Sequence, residues 1–128
     1  MAKNESKRDF IALNIAILTI SDTRTDESDI SGVRLAELLE RDGHILQEKV
    51  IVPDNIYRIR AEISKWISSP KVNAILTTGG TGVTGRDGTP EAVGVLFDKV
   101  IDGFGEMFRY LSYQQIKTST IQSRSIAG

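Results

Sequence analysis

The chain has 128 residues, a formal net charge of −1, 6% aromatic residues and no cysteine. That length suits one domain with its own core, and the lack of cysteine excludes a disulfide scaffold, a thiolate metal site and a cysteine nucleophile. Charges are interspersed without a basic stripe, aromatics are too sparse for base stacking, and no apolar run is long enough to span a membrane. Nucleic-acid and membrane partners are therefore not expected.

Met1 to Asp9 is polar and leads into no signal-peptide core. Residues 1–13 are expected to form a flexible arm, and a cytoplasmic location is expected. The domain is placed over 14–128.

Asn14 to Ile20 reads as a first strand, with the nearly continuous apolar run of a parallel strand covered on both faces. The polar loop Ser21 to Asp26 follows. Ser21 and Asp22 there are either turn-forming residues or ligand contacts at a strand-to-helix connection. Asp29 to Arg41 has helical spacing, and Gly43 supplies a stop. The single histidine, His44, suits the start of the next strand better than catalysis, because it has no partner ligands nearby in sequence.

Ile45 to Val52 predicts a second strand. Its polar Gln47 and Lys49 suggest a position near the sheet edge. Val52-Pro53-Asp54 then turns into a second helix, with Asp54 as the expected N-cap and Ile56, Ile59, Ile63 and Trp66 on the apolar face.

Val72 to Thr78 is a third strand signal, short, apolar and β-branched. Gly79, Gly80, Gly82, Gly85 and Gly88 follow, separated mainly by hydroxyl residues. Thr89 is the expected N-cap of the next helix, Pro90 its first residue and Glu91 part of its first turn. Such a loop exposes successive amides as a nest for phosphate or another oxyanion, helped by the hydroxyls of Thr77, Thr78, Thr81 and Thr84. Gly80 to Gly85 meets the bare GxGxxG and GxxxxG spacings. Pro90 nevertheless starts the helix too late for a dinucleotide fold, and Arg86-Asp87 stands where a P-loop needs Lys and Ser or Thr. Asp87 is the informative residue: it would repel phosphate unless a divalent cation bridged them. Read without the cation, it is a solvated turn aspartate.

The helix from Pro90 is expected to end near Lys99. Lys99 to Asp102 would be a short strand, Gly103 to Gly105 a tight corner, and Glu106 to Ile116 a helix. Strand–helix alternation predicts an α/β fold with a mostly parallel sheet and helices on both faces, a three-layer α/β/α sandwich. In the commonest order for such a sheet, the loops after the first and third strands flank one crevice.

The longer string is more specific. Thr77-Thr-Gly-Gly-Thr-Gly82, then Gly85-Arg-Asp87 and Thr89-Pro-Glu-Ala92, resembles the molybdopterin-binding family of molybdenum cofactor biosynthesis, which includes adenylyltransferases. The resemblance runs from about Asn14 to Gly128. Phe104 to Ile116 and Ser123 to Gly128 are most similar to its protein B branch. It implies the family's molybdopterin-binding fold, molybdopterin and ATP as substrates, Mg²⁺, adenylyl transfer, and assembly as a homo-trimer or homo-hexamer.

The resemblance also implies metal and nucleotide handling by Asp54 and Asp87. The nest of Thr78, Gly79, Gly80, Thr81 and Gly82, with Thr89, Pro90 and Glu91, would hold phosphate. Ser123 and Arg124 match a pair near the pterin side; by themselves they read as a polar turn. Arg86 is placed either to neutralise charge on the reacting phosphates or to pair with a carboxylate. Two rival readings remain: a molybdopterin carrier without catalysis, and a generic enzyme of phosphorylated compounds. Relatives continue beyond this point with further structure, so part of the family domain is expected to be missing here.

Overall fold

A computed structural model describes residues 8–128. Residues 1–7 of the expected arm lie outside the described residues. Phe10 and Leu13 are attached to the domain. The Phe10 ring packs 5.2 Å from the His44 ring, and the Leu13 amide donates to His44 Nδ1 at 3.1 Å. His44 thus fastens the incoming chain beside the start of the second strand.

Among the described residues, three strands form one parallel sheet: β1 (Asn14–Ile20), β2 (Ile45–Val52) and β3 (Ala74–Thr78), in the order β2-β1-β3. The central strand is the most apolar one, as burial on both faces requires. Ile15 and Ile17 face Leu35, Ala36 and Leu39 of helix α1 (Ile30–Arg41). Ala16, Leu18 and Ile20 face Ile59, Ile63 and Trp66 of α2 (Ile56–Ile67), with Ala92 and Val93 of α3 (Thr89–Gly94) beside them. The strand order reverses at β1, so successive right-handed crossovers put α1 and α2 on opposite faces. This is the expected three-layer α/β/α arrangement.

Between Ile15 and Ala16 the β1–β2 register shifts by one residue, so Ala16 pairs with Glu48 and Ile17 with Lys49. The bulge reverses which face each later β2 side chain takes. Glu48 now accepts from Trp66 Nε1 at 2.8 Å on the α2 side. Lys49 instead reaches Asp29 at the start of α1, Nζ to Oδ2 2.7 Å.

Several local expectations are corrected. Asp54 does not cap α2. Asn55 does, its side chain accepting from the amides of Tyr57 and Arg58 at 3.0 and 3.1 Å. Thr89 lies inside α3 and Gly88 takes the cap position, because the Thr89 hydroxyl is committed to the Gly79 carbonyl at 2.8 Å. α3 ends at Gly94 rather than near Lys99: the Leu96 and Phe97 amides bond to Val93 and Gly94, tightening the chain into turns. Lys99 to Asp102 forms no strand. Gly103 and Gly105 belong to α4 (Asp102–Ile116), because the tail crosses the helix at Gly105, where a Cβ would sit 2.7 Å from the Ser125 carbonyl oxygen. A 3₁₀ helix follows over Lys117–Gln122; the tail then meets the glycine loop at Arg124 and runs back along α4 toward its first turn, where Ile101 bonds to Ala127.

Candidate functional site

The loops after β1 and β3 are neighbours at the carboxyl end of the sheet, where open α/β sheets bind ligands. Gly79 and Gly80 leave β3 with φ of +101° and +70°. Side chains rarely take these angles, and a Cβ on Gly79 would run into the Ile20 carbonyl of the neighbouring strand. Thr89 closes the base of the loop. Its hydroxyl holds Gly79 and its amide donates to the Gly80 carbonyl at 3.1 Å.

Four carboxylates, Asp22, Asp54, Asp87 and Glu91, and two guanidinium groups, Arg86 and Arg124, surround this loop. Asp22 Oδ1 accepts from the Asp54 amide at 3.0 Å, while Asp22 Oδ2 accepts from Arg86 Nε and Nη2 at 3.1 and 2.6 Å. Asp22 therefore joins the β1, β2 and β3 loops. Arg86 holds it below the usual carboxylate range, and the Asp54 amide adds to the effect. Ser21 acts locally: its hydroxyl accepts from the Thr23 and Arg24 amides at 3.3 and 3.1 Å. Beside Ser21 and Asp22, an open cavity of about 540 Å³ extends past Lys49 to Pro53.

Asp54 is half-buried under Gly80 and Gly88. Burial pushes its carboxyl above the ordinary value, and the nearby charges of Asp22 and Asp87 add to this against Arg86 and the Gly88 amide. Asp87 is turned into its own loop. Its Oδ2 accepts from the Thr84 amide at 2.9 Å and the Thr84 hydroxyl at 2.8 Å, which keep it below the ordinary value. The residue expected to bind metal is thus also the anion that its own loop's amides receive.

No group of three or more His, Cys, Asp or Glu side chains forms a ready-made metal centre among the described residues. The carboxylates of Asp54, beside Gly80, and Asp87, beside Gly82, nonetheless fit Mg²⁺, which commonly takes one or two carboxylates and completes its shell with water and other oxygens. Burial is the main cause of the raised Asp54 carboxyl; Asp22 and Asp87 add negative charge beside it, which a cation would offset.

Arg124 and Glu91 are brought to the back of the loop. Arg124 Nε donates to the Gly82 carbonyl at 2.7 Å, Nη2 to the Asp87 carbonyl at 3.0 Å, and Nη1 to the Glu91 carboxylate. Arg124 holds the Glu91 carboxyl below its ordinary value. Pro90 sits in the first turn of α3, Thr78 ends β3, and the Thr81 carbonyl accepts from the Arg124 amide at 2.9 Å. Ser123 hydrogen-bonds within the tail, Oγ to Ser125 Oγ at 3.2 Å.

Residues 16–127 match the family described as "Probable molybdopterin binding domain". The chain belongs to this family. It is 50% identical over 120 residues to molybdenum cofactor biosynthesis protein B of Escherichia coli K12, covering 94% of this chain and 71% of that protein. The Bacillus cereus protein of the same name is 48% identical over 113 residues, covering 88% of this chain and 67% of its own length. A crystal structure of a molybdenum cofactor biosynthesis protein B superposes with a TM-score of 0.88 at 44% identity, covering 93% of this chain and 74% of that one. The tungsten cofactor synthesizing protein MoaB from Pyrococcus furiosus gives 0.79 at 34% identity, with coverage of 91% and 72%.

Some residues that shape this molybdopterin-binding domain had no local sequence signal. Asp29 and Lys49 meet only through the β2 bulge. Arg60 of α2 holds the Glu91 and Ala92 carbonyls at 3.0 and 2.9 Å. Arg109 of α4 holds the tail through the Ser123 and Ser125 carbonyls at 3.3 and 3.1 Å. All three pairings are long-range, so no motif announces them.

Proposed function

We propose that this chain acts in molybdenum cofactor biosynthesis, in the cytoplasm, binding molybdopterin and transferring AMP to its terminal phosphate from ATP. The observation that carries this reading is the glycine nest set between Asp54 and Asp87, in a chain that belongs to the molybdopterin-binding family. A terminal phosphate oxygen of the pterin attacks the α-phosphorus of ATP. The bond to the β-phosphate breaks, and pyrophosphate leaves with that electron pair. The nucleophile is already ionised, so neither aspartate needs to take a proton. The protein's task is to hold two mutually repelling phosphates in line.

The amides of the Gly79–Gly82 turn would hold phosphate oxygens, with Thr78 and Thr81 beside them. Asp54 and Asp87 would hold Mg²⁺, which would supply positive charge to offset that of the phosphates. Arg86 sits at the rim, paired with Asp22.

A coupled pyrophosphate assay with molybdopterin, ATP and Mg²⁺ tests this. D87N can still accept from Thr84 but loses the charge, so it is expected to fold normally and lose about 100-fold or more in rate. Full Mg²⁺-dependent activity in D87N would refute the metal role. A second reading, a molybdopterin carrier without catalysis, is favoured by the way Thr84 occupies Asp87. It predicts pterin binding with no pyrophosphate release from the wild-type chain.

α4 exposes Met107, Tyr110 and Leu111 at more than half of their surface each. A homo-oligomer, trimer or hexamer, is the assembly that would cover this face.

A further inference from the structure

Arg124 holds four points of the glycine loop and its flank. Besides the three guanidinium contacts on Gly82, Asp87 and Glu91, its own amide donates to Thr81. The tail bearing Arg124 is itself fixed. Arg109 grips the carbonyls on either side of it, at Ser123 and Ser125, and the Ile101 amide donates to the Ala127 carbonyl at 2.8 Å. Gly105 lets the tail lie directly against α4.

Peptide planarity turns these contacts into an orientation. In a trans peptide the N–H of the next residue points opposite to the C=O. Drawing the carbonyls of Thr81, Gly82 and Asp87 toward Arg124 therefore turns the amides of Gly82, Val83 and Gly88 away from it. Gly82 lies against the Asp87 carboxylate and Gly88 against that of Asp54, where an added Cβ would stand 2.6 Å from Asp87 Oδ2 and 3.4 Å from Asp54 Oδ1.

We propose that Arg124 is a positioning residue rather than a ligand contact: a strap that fixes the peptide planes of the glycine loop and so sets which way the Gly82, Val83 and Gly88 amides face. The consequence for function rests on the reading of this loop as a phosphate and Mg²⁺ seat. The strap itself does not. Lysine cannot replace it, because one ammonium cannot match a planar fork that serves three separate oxygens.

Hydrogen exchange and calorimetry on the full chain test this with R124M and R124K. In R124M, amides of residues 79–89 are expected to exchange at least about tenfold faster while those of β1 stay within about twofold, because hydrogen bonds to a charged group are lost locally. ATP with Mg²⁺ is expected to bind about tenfold more weakly, and R124K to recover only a minor part of both effects. Unchanged loop exchange in R124M overturns the strap. So does a parallel rise in the loop and in β1, which would mean general destabilisation. If R124M does not fold, R124K carries the same comparison. If the wild-type chain binds no ATP, the proposed function fails, while the exchange result still decides the strap.

Discussion

Asp22 and Arg86 stand 64 residues apart in sequence and meet at 2.6 Å, closing the rim between the β1 and β3 loops. The pair is exposed, so its energy is small and is screened by salt. D22A is therefore expected to leave the melting temperature close to that of wild type while freeing Arg86 for phosphate. Because the folded-state value of Asp22 is lowered, its contribution to stability is present above the ordinary value of 3.8 and is lost as pH falls through the lowered value. An NMR titration of the Asp22 carboxyl checks this. A midpoint at or above 3.8 would mean that the pair does not persist in solution.

Asp54 behaves in the opposite sense. Its folded-state value is raised, so the folded chain holds this proton more tightly than the unfolded chain, and stability declines as pH rises through that value. D54N is expected to be more stable than wild type at pH 7, with the gap closing on acidification toward the ordinary value of 3.8. The same variant is expected to lose about 100-fold in Mg²⁺-dependent pyrophosphate release. Denaturant melts at several pH values, run beside the coupled assay, measure both effects.

Asp29 is buried and caps α1 through the Gly32 amide at 3.0 Å, while Lys49 and the Thr19 hydroxyl each reach its Oδ2 at 2.7 Å. Burial alone would raise its carboxyl. Lys49, Thr19 and Gly32 together outweigh burial and hold it below the ordinary value. D29A removes a helix cap and leaves the largely buried Lys49 ammonium only the more distant, exposed Asp26 at 4.0 Å, an expected cost of about 3 kcal/mol in urea unfolding. Its lowered value makes this contribution full above 3.8 and lost as pH falls through the lowered value, so the gap to wild type should shrink in acid.

The exposed face of α4 gives the last prediction. Sedimentation of the wild-type chain is expected to show a trimer or hexamer, and L111D a smaller species, because a carboxylate cannot be buried unpaired in an apolar contact. A wild-type monomer at micromolar concentration would remove the assembly from the proposed function.

The three strands, the α1 stop at Gly43 and the glycine loop were legible because each depends on local chemistry. A run buried on both faces is apolar whatever its partner, and a residue at φ +90° is best a glycine. The caps were less legible. Asp54-Asn55 offers two adjacent capping side chains, and only the packing of Asp54 under Gly80 and Gly88 leaves the task to Asn55. The same holds at Arg124. The sequence marks it as a candidate, but the acceptors of its guanidinium group lie 33 to 42 residues away along the chain.

By itself, the amino-acid order determined the layer architecture, the family and the loop on which function is proposed to centre, because periodicity, glycine placement and a long motif are properties of neighbouring residues. Tertiary structure alone decided which way the charged groups point. Strict alternation would send Glu48 to the face of Leu46. The one-residue slip against β1 sends it to Trp66 and gives Lys49 to Asp29. Register belongs to two strands at once, and the aim of a peptide plane belongs to whatever grips its carbonyl; neither is written in a single stretch of chain.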